Sequence, residues 1–130
     1  MTRIIVSLLA LITVCVLSAA AQKPAAKSQP CANATNQHEM NRCAAEEYKK
    51  ADAELNKVYQ QLLPKLEAPH KEKLKAAQLA WLSFRDAHCE FEAFAFEGGS
   101  MQPLIRSGCL ETVTRDRIKQ LRAALRDIGK

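Results

Sequence analysis

The chain has 130 residues, 48% of them hydrophobic, with five cysteines and a formal net charge of +5. Removing Arg3, Lys23 and Lys27, which precede any segment able to fold, takes the net charge from +5 to +2, too little for a nucleic-acid footprint. What is left holds one small core and not two.

Met1-Thr2-Arg3 is a short positive start, and Ile4 to Leu17 is almost wholly apolar before the small residues Ser18-Ala19-Ala20-Ala21. This is the pattern of a secretory signal peptide over residues 1–21, cleaved before Gln22. The apolar run falls short of the roughly 20 residues that span a bilayer, so no stable membrane insertion is expected after cleavage. Residues 22–30, rich in Lys, Ala, Ser, Gln and Pro, have nothing to bury and read as a disordered linker. Export places the helical domain, residues 31–130, in the periplasm or outside the cell.

From there the chain reads as helix. Met40, Ala44, Tyr48, Ala51, Leu55, Val58 and Leu62 step by four or three and form one helical face. Thr35 or Asn36 can cap its start, with Glu39 placed as in a capping box. Pro64 ends this helix and Pro69 opens the next, where a missing N–H costs nothing. A second stripe runs through Leu74, Ala77, Trp81, Phe84, His88, Phe91 and Ala95 until Gly98-Gly99-Ser100 stops it. The third helix spans about Pro103 to Ile128, with Leu110, Val113, Ile118, Leu121, Leu125 and Ile128 inward. Short breaks between long helices make neighbours antiparallel.

Four cysteines lie within this region, Cys31, Cys43, Cys89 and Cys109, and an even count in a small exported domain reads as two disulfides. In an antiparallel hairpin, residues equally far from the turn lie at the same height. Cys89 and Cys109 are centred on Gly99, inside the glycine turn, and Cys31 and Cys43 on Gln37, beside the first helix start. Height therefore favours Cys31–Cys43 and Cys89–Cys109, while the spacing itself leaves the two crossed pairings open. The fold class expected is all-α, a small antiparallel three-helix bundle stapled by two disulfides.

The segments CANATNQHEMNRCAAEEYKKADAELNKVYQQL, AAQLAWLSFRDAHCEFEA, GGS and GCLETVTRDRIKQLR, in that order, resemble the LprI-like N-terminal domain family across nearly all of residues 31–126. The resemblance implies an exported bacterial domain and, from the lipoprotein that names the family, a binding protein that inhibits lysozyme. The alternative is a structural or stress-related envelope protein that binds another protein or a cell-wall fragment.

Catalysis is not expected. His88 and Cys89 are adjacent and so point about 100° apart on a helix, and a disulfide-bonded Cys89 has no thiolate to offer. Glu46, Glu47, Glu90 and Glu92 read as solvated faces, and neither a phosphate loop nor a Gly-x-Ser-x-Gly elbow is present. His38 and His70 start different helices and the cysteine spacing matches no zinc pattern, so neither metal nor cofactor is expected.

Two candidate surfaces remain. Gln78, Trp81 and Arg85 share a face of the second helix, and the hairpin brings Tyr48, Asp52 and Asn56 of the first helix level with it. The expected result is a polar seam in which Arg85 reaches Asp52 or the Tyr48 hydroxyl beside the Trp81 ring, leaving a buried carboxylate if Arg85 is removed. Its structural role would be to set helix register; the alternative is a ligand site. The second surface is the stapled turn Glu97-Gly98-Gly99-Ser100-Met101, a candidate partner contact, since a rigid loop loses little entropy on binding.

Overall fold

A computed structural model describes residues 31–128; the expected signal peptide and the linker lie outside the described residues. Helix α1 covers Gln37–Leu62, α2 Ala68–Phe94 and α3 Gln102–Ile128, with a 3₁₀ turn at Leu63–Lys65 between the first two. Among the described residues there is no strand.

Local chemistry accounts for the boundaries. Asn36 caps α1: its Oδ1 accepts the Glu39 N–H at 3.0 Å, and Glu39 Oε2 in return accepts the Thr35 N–H at 2.8 Å. That backbone bond first, and the Thr35 hydroxyl second, hold the Glu39 carboxyl below the usual glutamate range. Pro64 sits in the 3₁₀ turn and Pro69 in the first turn of α2, where neither breaks a helical hydrogen bond. After α2, Gly98 takes φ +72°, a left-handed conformation that a side chain resists.

Helix α3 packs against both others and most closely on α1, whereas the α1 and α2 backbones scarcely approach one another. At one end of the bundle Leu55, Val58 and Leu62 meet Ile118 and Leu121, with Tyr59, Leu66, Leu74, Trp81 and Leu125 around them. The other end is built of small side chains, Ala44 and Ala93, with Leu110. Small side chains bury little apolar area, and here the covalent links take over. Cys31 is bonded to Cys43 and Cys89 to Cys109, with Cα–Cα separations of 5.7 and 5.4 Å. The structure thus selects, from the pairings left open, the two favoured by height.

Helix α2 departs from the expected stripe. Phe84 and Phe91, expected inward, are 57% and 75% exposed, and Ala77 and Ala95 also face out. Gln78, Arg85, Cys89 and Ala93 are buried instead, so the helix is turned by about one residue, or 100°. The cause is the staple: Cys89 must face Cys109, and the phenylalanines of the other stripe then cannot face α3. Ile128 is likewise 42% exposed, because α3 ends there beyond the last layer of the core.

Candidate functional site

The seam is built where α2 and α1 stand too far apart for short side chains to meet. Arg85 closes the gap with its side chain 8% exposed, Nη1 donating to Asp52 Oδ1 at 3.1 Å. Its Nε donates to Oδ1 of the neighbouring Asp86 at 2.8 Å. The guanidinium carbon lies 5.3 Å from the centroid of the Trp81 ring and 5.6 Å from that of Tyr48, within cation–π range of both. Tyr48 therefore meets Arg85 through its ring rather than its hydroxyl. Burial raises the Tyr48 pKa, and the nearby Arg85 charge partly opposes it. Asn56 Nδ2 donates to Asp52 Oδ2 at 3.3 Å, one turn along α1.

Tyr48, Asp52, Asn56, Gln78, Trp81 and Arg85 are thus gathered along one line of contacts. Asp52 is 38% exposed, which reverses one expectation: the buried charge of the pair is the arginine, not the carboxylate. Arg117 of α3, which the helix stripes do not single out, completes the seam. Its Nε donates to Gln78 Oε1 at 3.1 Å and its guanidinium carbon lies 5.8 Å from the Trp81 centroid, on a ring that Arg85 also approaches. Burial lowers the Arg117 pKa. A usable signal exists, because the α2–α3 turn centre that pairs Cys89 with Cys109 also puts Arg117 level with Trp81. A shallow groove of about 410 Å³, lined by residues including Asn56, Tyr59, Gln78 and Leu82, borders the seam.

A second network joins α1 to α3. Arg115 Nε meets Glu111 at 2.8 Å, its Nη atoms approach Glu47 at 3.7 Å and Glu54 at 3.9 Å, and Arg122 pairs with Glu54 at 2.6 Å. Glu47, expected on a solvated face, has a side chain only 15% exposed because α3 covers it.

The turn between α2 and α3 is tied at three places. Cys89–Cys109 bridges its base, Asn41 Nδ2 of α1 donates to the Ser100 carbonyl at 2.9 Å, and the Gly98 N–H donates to Gln102 Oε1 at 3.2 Å. A Cβ on Gly99 would lie 3.1 Å from the Phe96 carbonyl oxygen, so the turn is tight as well as tethered. Glu97, Gly98, Gly99, Ser100 and Met101 all remain exposed.

His88 is half-buried and stacks on Phe84 with ring centroids 5.4 Å apart. Among the described residues no group of three or more His, Cys, Asp or Glu side chains could hold a metal ion, and no helix is long and apolar enough to cross a membrane.

An uncharacterized protein of Rhizobium meliloti (strain 1021) is 39% identical over 127 residues, covering 88% of this chain and 89% of its own. No solved structure matches the chain. The family model described as "Lysozyme inhibitor LprI" matches residues 29–121, nearly all of the described helical region with both disulfides, and the chain belongs to that family.

Proposed function

We propose that the protein is an exported, non-catalytic binding protein that inhibits lysozyme in the cell envelope, and that Glu97–Met101 forms its contact. The observation that carries this reading is the family match over residues 29–121. The geometry supports the choice of surface: the turn is exposed, projects from one end of the bundle and is held by a disulfide and two hydrogen bonds. A pre-ordered loop gives up little conformational freedom on docking. Met101, 42% exposed, supplies an adaptable apolar contact there. The seam belongs to the scaffold in this reading: it spaces α2 from α1 and so sets the direction in which the turn projects.

The test is a cell-wall lysis assay with lysozyme and the exported, oxidised protein, alongside Met101→Ala, Glu97→Ala and Asp52→Asn. Inhibition that Met101→Ala and Glu97→Ala weaken and Asp52→Asn leaves intact is the expected result. If the wild type does not slow lysis at any ratio to enzyme, the inhibitor reading fails; if Asp52→Asn alone abolishes inhibition, the contact lies in the seam.

A further inference from the structure

Helix α2 turns Leu74 and Trp81 toward the core but carries its phenylalanines on the outside of the three-helix bundle. Its buried face holds Gln78 and Arg85, while Leu79, Phe84, Phe91 and Phe94 are 67%, 57%, 75% and 65% exposed. The outward residues keep a strict order. Ala77, Ala80, Phe84, Ala87, Phe91 and Phe94 are separated alternately by three and four positions, all exposed, with no charge among them. An alternating three–four apolar repeat is the seam of a coiled coil, and here it has no partner within the described chain.

We propose that this face pairs with the same face of a second copy of the chain, α2 against α2, antiparallel about a two-fold axis that crosses between Arg85 and Asp86. The distribution of large and small residues selects this occupant and this direction. In that register Ala77 lies opposite Phe94 of the second copy, Ala80 opposite Phe91, and Phe84 opposite Ala87. Every layer then contains one ring and one methyl, so the two helices keep a constant spacing along their length. A parallel pair would stack alanine on alanine at Ala77 and Ala80 and ring on ring at Phe91 and Phe94, and the helices would splay.

Charge agrees with the same direction. Exposed Lys73, one repeat before Ala77, comes beside exposed Glu97 of the other copy. The area is adequate as well. At about 200 Å² per fully exposed ring, the three phenylalanines present roughly 400 Å². With the exposed alanines of the stripe the face reaches about 500–600 Å², so a pair of copies buries roughly 1,100 Å² in all, just above the roughly 1,000 Å² that a specific interface needs and at the upper end of the apolar patches found on monomers. The two stapled turns end up at opposite ends of the paired helices.

Sedimentation velocity on the exported product of the full chain tests this, from micromolar to hundreds of micromolar protein. The wild type is expected to show a concentration-dependent dimer. Phe91→Glu and Ala80→Lys should each weaken it at least about tenfold, as loss of a central anchor does, with helical circular dichroism unchanged because both positions are exposed. Combining them places lysine opposite glutamate in two symmetry-related layers, so the double variant should recover dimer relative to Phe91→Glu, whereas Lys57→Glu on α1 should change nothing. A monomeric wild type overturns the pairing, as does a dimer that survives Phe91→Glu. A double variant no better than Phe91→Glu overturns the antiparallel register. If a monomeric wild type inhibits lysozyme and Phe91→Glu does not, the face belongs to the enzyme contact and the pairing is wrong while the inhibitor reading stands.

Discussion

Arg85→Ala tests the account of the seam most directly. The ion pairs are the smaller part of the loss, since Asp52 and Asp86 are 38% and 56% exposed and water screens them; together they amount to about 1 kcal/mol. The two ring contacts add about 1 kcal/mol each at this depth. Truncation also removes two methylenes of a side chain that is 8% exposed, at about 0.8 kcal/mol each. Freeing a long ordered side chain returns about 1–2 kcal/mol of entropy. The net expectation is a loss of about 2.5–3.5 kcal/mol, or a fall in melting temperature of roughly 10–25 °C for a domain of this size. Arg85→Met separates packing from charge, because it keeps the stem between the two rings and can set its sulfur against them while losing the ion pairs and the cation–π attraction. It should cost about 1–2 kcal/mol, less than Arg85→Ala. Asp52→Asn should also cost no more than about 1 kcal/mol, since Arg85 keeps Asp86 and both rings. Urea unfolding of the oxidised protein, followed by Trp81 fluorescence and circular dichroism, measures all three. Arg85→Ala within about 0.5 kcal/mol of wild type would refute the reasoning, and Arg85→Met as damaging as Arg85→Ala would show that charge, not packing, holds the seam.

Thr114 is fully buried and its hydroxyl has no hydrogen-bond partner among the described residues, so Thr114→Val should leave stability unchanged or raise it by up to about 1 kcal/mol, read from the urea midpoint. Replacing Cys89 and Cys109 together by alanine should cost about 3 kcal/mol by releasing the unfolded chain, with Ellman titration finding no free thiol in the wild type once the expected signal peptide carrying Cys15 is removed. The lowered Glu39 pKa means that its capping contribution is present above the ordinary glutamate range and lost as pH falls through the lower folded value. The first turn of α1 should therefore loosen only once the pH has fallen below the ordinary glutamate range in the wild type, while Glu39→Gln shows no such titration; backbone amide shifts at Asn36–Met40 report it.

Helix number, length and order are legible in the amino-acid sequence by itself, because they depend on short-range chemistry. A three–four rhythm, proline in first turns, the cap formed by Thr35, Asn36 and Glu39 and Gly98 at a positive φ act within a few residues of one another. The disulfide pairing is favoured by chain geometry, since hairpin height depends only on distance from a turn. Trp81, Arg85 and Asp52 meet for the same reason, and Arg117 joins them by it. The rotation of α2 is not legible in its periodicity, and only the expected Cys89–Cys109 bond points to it. Periodicity gives the spacing of a stripe but not its phase, and α2 carries two stripes with the same rhythm, one of phenylalanine and alanine and one of Gln78, Arg85 and Cys89. Apolar content favours the first. The covalent demand that Cys89 face Cys109, together with an α1–α2 gap that only long side chains span, selects the second. Burial of Glu47 is hidden for a related reason, because whether a carboxylate is solvated depends on which helix lies over it. Only the tertiary structure, through the Cys89–Cys109 bond and the packing around it, decides which face of α2 meets α3, and so leaves its phenylalanines facing outward.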